Sequence, residues 1–265
     1  MTTEQTLAAG FDGIEHIRGM EFDCAKDPEK LLAQRTEIMD KNANGDGAVV
    51  RRMVHATVRP VAFAEQDPAR CAALIKLFAK KGTWHTPTLH IVAFRALKNY
   101  EKPKWQDALR YLPDSLRPVW KDRLKDYTDP AKYLEWEEQG NWAIEKIGQM
   151  QKAGVRIMAG TDAPGLVFMP GFTLHDELAA LVRAGLSPLA ALQAATVTPA
   201  QFFKMEKQIG TIEKGKLADI VLVEADPLVD IDNAQKISAV VSKGRLYDRA
   251  ELDALLAPFD SSLKN

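Results

Sequence analysis

The chain has 265 residues, 46% of them hydrophobic and 27% charged, with a net charge of -1, a profile that suits a globular protein with a sizeable core. Basic and acidic residues are balanced and intermixed, which excludes the cationic footprint of a nucleic-acid binder and the polybasic patch of a membrane-surface protein; a small-molecule substrate is the expected partner. No stretch reaches the ~20 apolar residues of a membrane span. The opening MTTEQTLAAG lacks the basic start and apolar core of a signal peptide, so the chain as written is expected to be cytoplasmic.

Taken in chain order, the first predicted strand is Phe11 to His16, ending on an imidazole. Asp27-Pro28 then opens a helix, since a capping carboxylate followed by proline at the first helical position satisfies one orphan N–H and dispenses with another. Val49, Val50, Met53, Val54, Thr57 and Val58 recur at helical spacing behind Asp46, a candidate cap. Asp67-Pro68 opens a helix through Leu74, Ile75 and Phe78 that stops at Gly82.

A second strand is predicted within Gly82 to Val92, around Thr-Pro-Thr-Leu. The polar stretch from Lys98 to Lys132 is expected to be a helical insertion with solvated faces. Asp129-Pro130 opens a helix that lines up Tyr133, Trp136, Ala143, Ile147 and Met150 and ends at Gly154, ahead of a third strand, Val155 to Ala159. Ser187-Pro188 and Thr198-Pro199 mark two more helix starts. Beyond Ile209 the β-rich runs Ile220 to Val223 and Ile237 to Ser242 are broken at Lys214-Gly215 and Lys243-Gly244, a small β appendage after a series of α/β units.

The two cysteines, Cys24 and Cys71, lie far apart and outside any CxxC pattern, so buried free thiols are expected rather than a disulfide framework or a thiolate zinc site.

Asp162 ends the third strand in Gly-Thr-Asp. At the carboxyl end of a parallel strand its carboxylate faces an active-site mouth; alternatively it caps the next helix or steadies the Pro-Gly turn. His16, at the end of the first strand, is either a metal ligand or a hydrogen-bonded structural residue, and Glu15 projects to the opposite face. Arg18 offers a bidentate fork for a substrate carboxylate or a structural salt bridge. His85 and His90 flank Thr-Pro-Thr-Leu, one of them a candidate substrate contact and otherwise polar structural groups. His55 lies on a predicted helix, with an exposed or capping role. His175 opens the helix near Thr173, where Asp176 and Glu177 favour the helix dipole.

AGFDGIEHIRG, GTWHTPTL, AGVRIMAGTDAPG, LHDELAALVRAGLSPLAALQAATVTPAQFF and IGTIEKGKLADIVLVEADPL, in this order and over nearly the whole chain, resemble consecutive signatures of the metal-dependent amidohydrolase superfamily, nearest its imidazolonepropionase-like and prolidase-like branch. The resemblance implies an α/β fold built on a (β/α)8 TIM-type barrel, with one or two divalent metals, usually Zn2+. It also implies that His16 is a metal ligand and that Asp162 touches the metal and acts as the catalytic base. Arg18, His85 and His175 are then the candidate substrate-side residues. The implied reaction is hydrolysis of a carbon–nitrogen bond, in a cyclic amide or a proline-containing dipeptide, by metal-activated water.

The family pattern also includes a His-x-His pair on the first strand, a ligand from the fourth and a histidine on the fifth. No His-x-His occurs here. A barrel takes about 250 residues without insertions or appendages. The chain therefore reads as a partial barrel, strands six to eight, over residues 1–208 with the insertion near 98–132, followed by the C-terminal part of a small β-sandwich over 209–265. With two ligands, metal occupancy and activity of this chain alone are expected to be low, and open sheet edges call for a homo-oligomer or a complementing chain. The rival readings are a non-catalytic interaction protein and an unrelated α/β enzyme that uses Asp162 differently.

Overall fold

The computed structural model describes residues 2–17, 19–128, 130–163 and 168–259. It divides into two compact units, one of residues 1–85 and 152–156 and the other of residues 86–151 and 157–265. No helix among the described residues is long and apolar enough to cross a membrane.

In the first unit, α1 (Thr3–Ala8) precedes β1 (Gly13–Glu15), α2 (Met20–Asp23), α3 (Pro28–Lys41), α4 (Gly47–Ala64) and α5 (Pro68–Lys81). The predicted caps behave as local chemistry requires: Asp27 accepts from the Lys30 N–H, Asp46 from those of Ala48 and Val49, and Asp67 from those of Ala69 and Arg70. Helix α5 stops at Gly82, whose φ is 66°. Apolar residues spaced three and four apart turn α3 and α4 toward each other, and Leu31, Val54, Val58 and Ala62 close a core with Ala25 and Phe22.

The cysteines depart from expectation. Cys24, the C-cap of α2, and Cys71, one turn into α5, form a disulfide with their Cα atoms 4.6 Å apart. Backbone pairing brings them together: Ala25 bridges Gln66, Lys26 N–H donates to the Glu65 carbonyl at 2.8 Å, and Asp67 N–H to the Cys24 carbonyl at 2.7 Å.

Strand β2 (Trp84–Thr86) begins beside β1, with Trp84 N–H donating to the Asp12 carbonyl at 2.8 Å, and β3 (Arg156–Ile157) begins next to it, in the order β1-β2-β3. Arg156 lays its guanidinium over the Trp84 ring, 3.9 Å from the centroid, and donates to the Gly82 carbonyl. All three strands are shorter than the sequence indicates. Pro87 ends β2 because it brings no N–H to a ladder, and its neighbour Thr88 adopts a left-handed conformation (φ 46°) that starts a helical turn.

The second unit runs through α6 (Leu89–Val92), α7 (Pro103–Ala108), α8 (Arg117–Thr128), α9 (Pro130–Lys152), α10 (Thr173–Arg183), α11 (Pro188–Ala194) and α12 (Val197–Phe202). Helix α9 buries Ala143, Ile147 and Met150, as its spacing predicts; the side chain of Tyr133 lies outside the described residues, as does Asp129 at its start. Ser187 caps α11 through the Ala190 N–H. Thr198 does not cap: α12 begins at Val197 with Thr196 before it, so Pro199 falls within the first turn, where its missing N–H is tolerated.

The stretch from Lys98 to Lys132 is helical but not solvated throughout. Trp105, Ala108, Leu109, Leu112 and Trp120 are buried with Phe94, Phe168 and Met169, and the two indoles stack 6.2 Å apart. Trp105 and Trp120 are therefore core, while Glu101, Asp107, Arg110, Lys121 and Asp122 are exposed.

The β appendage forms as read. Strand β4 (Ile220–Val223) pairs antiparallel with β5 (Ile237–Ser242), which pairs with β6 (Arg245–Tyr247) before a last helix, α13 (Arg249–Leu256). The β5–β6 hairpin turns on Lys243 and Gly244, with φ values of 50° and 81°, the left-handed pair that a two-residue hairpin requires.

Candidate functional site

His16 follows the last residue of β1 and is held in the left-handed region, φ 62°. It is half-buried, while Glu15 beside it is exposed, as strand alternation predicts. Arg18 lies outside the described residues.

His85 occupies the centre of β2 and is buried, its ring 5.3 Å from that of Phe78 in an edge contact. Its Nδ1 lies 3.0 Å from the Ile14 carbonyl. A carbonyl only accepts, so Nδ1 carries the proton and Nε2 keeps its lone pair. That Nε2 is buried with no hydrogen-bond partner among the described residues. Burial, chiefly, pushes the ring's pKa down to about 4; the bond to Ile14 opposes this and the nearby His16 charge adds to it. His16 and His85 are thus electrostatic neighbours in the first unit.

Asp162, in the second unit, is exposed and also has a left-handed backbone, φ 52°, which aspartate tolerates better than most residues. Gly160 explains the start of its Gly-Thr-Asp motif. A Cβ there would stand 2.4 Å from Thr86 Cγ2, so only glycine lets this turn lie against the end of β2. Ala159 N–H anchors the segment to the Ala194 carbonyl at 2.8 Å, and Thr161 Oγ1 accepts from Ala163 N–H at 3.3 Å. The next helix, α10, begins only at Thr173, with Phe172 at its N-cap, which rules out a capping role for Asp162 on that helix.

His175 sits half-buried in the first turn of α10. The carboxylates beside it are not dipole partners facing water. Glu177 is wholly buried, and its Oε2 accepts from the backbone N–H of His90 at 2.7 Å and faces His90 Nδ1 at 3.1 Å. The His90 ring meets Phe168 edge-on at 5.2 Å. Asp176, also buried, pairs with Lys102 at 3.7 Å. These two carboxylates fasten α6 and the following segment to α10. Sequence reading missed the pairing because it joins positions 87 apart; its only local trace was two adjacent acids on the apolar face of a helix. His55 lies half-buried on α4.

Among the described residues, no group of three or more His, Cys, Asp and Glu side chains is gathered to hold a metal ion. His16 with His85, and Asp162 with His175, are the candidates of their respective units.

Residues 122–247 match the amidohydrolase family. An adenine deaminase of Clostridium botulinum (strain Loch Maree / Type A3) is 42% identical over 141 residues, 53% of this chain and 22% of the deaminase. An ochratoxinase of Aspergillus niger is 38% identical over 91 residues, 34% of this chain and 18% of the enzyme. The chain therefore spans well under two thirds of these relatives. The solved structure of a bottromycin amidohydrolase superposes with a TM-score of 0.56 at 21% identity, over 99% of this chain and 55% of its own, which shows a shared α/β fold. Over residues 122–247, then, the chain is similar to the amidohydrolase family, and the ordered motifs extend that likeness along the rest of it.

Proposed function

We propose that this chain carries part of the catalytic face of a hydrolase of carbon–nitrogen bonds, with Asp162 as the base. The observation that carries the reading is the Gly160-Thr161-Asp162 turn: an exposed carboxylate on a left-handed backbone directly after β3, held against β2 by a contact only glycine permits. Such a carboxylate takes a proton from an attacking water and returns it to the leaving nitrogen, so one group serves both halves of the reaction. His16 in the first unit and Asp162 in the second are each proposed as ligands of a divalent metal, Zn2+ foremost. His85 Nε2, with its lone pair unused, is a proposed acceptor for a substrate N–H or O–H, and Arg18 and His175 are proposed on the substrate side. Cyclic amides, proline-containing dipeptides and, from the matched deaminases, adenine are the substrates to try first.

In this reading residues 1–208 are strands six to eight of a (β/α)8 barrel with their helices, and 209–265 the C-terminal part of a β-sandwich. Fewer than three ligands are gathered among the described residues. A complementing chain or a second copy is proposed to supply further ligands. The same shortfall supports the rival reading of a non-catalytic interaction protein.

Zinc titration followed by histidine ring NMR separates these. Weak binding that shifts the His16 ring and is abolished by His16→Ala supports the ligand role. Any release of ammonia from adenine, or of proline from a dipeptide, should fall at least about a hundredfold in Asp162→Asn. Turnover indifferent to Asp162→Asn would overturn the assignment.

A further inference from the structure

A cavity of about 530 Å3 lies in the first unit between α2, α3 and α4. Small-molecule sites run from roughly 300 to 1,000 Å3. Its wall follows from helical spacing: Arg35 and Met39 stand at i and i+4 on α3, with Asn42 at its C-cap, and Arg51, Val54 and His55 at i, i+3 and i+4 on α4, so each helix offers the cavity one face. Phe22, Met39, Val50 and Val54 make the apolar part.

The charge on this wall is one-sided. Its carboxylate, Glu21, is already used: it accepts from Arg59 Nε at 2.8 Å and from the Gly19 N–H at 2.5 Å, and it is buried. Arg35 and Arg51, by contrast, line the cavity with no hydrogen-bond or ion-pair partner among the described residues. Two guanidiniums beside apolar walls match an anionic head on an apolar body, because each planar fork can hold a carboxylate with two parallel N–H bonds. His16 does not line this cavity, which sets it apart from the proposed reaction.

We propose that the cavity between α3 and α4 binds a small amphipathic carboxylate, its charge held by Arg35 and Arg51 and its apolar part against Phe22, Met39 and Val54.

The test uses 4-phenylbutyrate and its uncharged analogue 4-phenylbutanamide, titrated into the whole protein by calorimetry at low salt. The carboxylate should bind at least about tenfold more tightly than the amide, the loss expected when a charged hydrogen-bonding head is removed. Arg35→Gln and Arg51→Gln should each weaken the carboxylate about fivefold or more, leave the amide unaffected and leave the melting temperature unchanged. Equal affinity for the two probes, undiminished carboxylate binding in the double variant, or no binding at about 10 mM would overturn the proposal. The readout is binding, so it stands or falls independently of hydrolysis.

Discussion

Glu177 accepts two hydrogen bonds from one residue, His90, in a place water does not reach. Glu177→Ala strands both donors, and a buried donor left unpaired forfeits its full solvation. The loss of stability is expected to be about 3 kcal/mol in urea titration, against roughly half that for Glu177→Gln, which keeps an acceptor. A loss under about 1 kcal/mol in the alanine variant would show that the pair does not hold α6 to α10.

His85 sets a pH dependence. Its native pKa, near 4, lies below its ordinary value of 6.5, so between those values the unfolded chain takes up a proton that the folded one refuses. Stability attributable to this ring is therefore complete above pH 6.5, falls as pH drops toward 4 and levels off below, a span of roughly 3 kcal/mol. Denaturation at several pH values in chelator should show this slope in the parent and a flatter one in His85→Asn. The sequence marked His85 as a candidate, but its burial was not legible there, since that depends on Phe78 and on Ile14, 71 positions away.

At the scale of elements, the legible parts are those whose causes are local. Asp27, Asp46, Asp67 and Ser187 cap where the sequence places them, because a cap acts within three residues. The hairpin at Lys243-Gly244 follows from backbone preference alone. Strand ends and the cysteine pair depend on distant partners, so β1, β2 and β3 were read too long and Cys24–Cys71 as free thiols.

The disulfide closes a separation of 47 residues that includes α3 and α4. Loop-closure entropy for such a span is about 4 kcal/mol. Reduction, or Cys24→Ala with Cys71→Ala, is expected to lower the first unit's stability by an amount of that order, measured as the shift in its denaturation midpoint. A shift near zero would show that strain or residual structure offsets the constraint. The α3 and α4 walls of the cavity lie inside this loop, so its probe affinity should fall on reduction in step with any loosening of that helix pair.

For the whole molecule, two properties read directly from the sequence meet one that only coordinates supply. A net charge of -1 gives almost no mutual repulsion near neutral pH. Cross-strand register puts Leu222 and Leu246 on one face of the small sheet, where they are 44% and 56% exposed, with Val221, 55% exposed, on the other. Apolar side chains left uncovered on a sheet are a site for association. The ordered motifs made the likeness to amidohydrolases legible, whereas which side chains a fold gathers around one point is not carried by any local pattern. The expected outcome is concentration-dependent association at pH 7 and low salt, measured by sedimentation velocity. Leu222→Lys with Leu246→Lys should abolish it, since both the apolar contact and the low charge are removed while each side chain is already exposed and folding is undisturbed. A parent protein that sediments as a monomer throughout would exclude pairing of copies through this sheet and leave a different chain as the proposed complement.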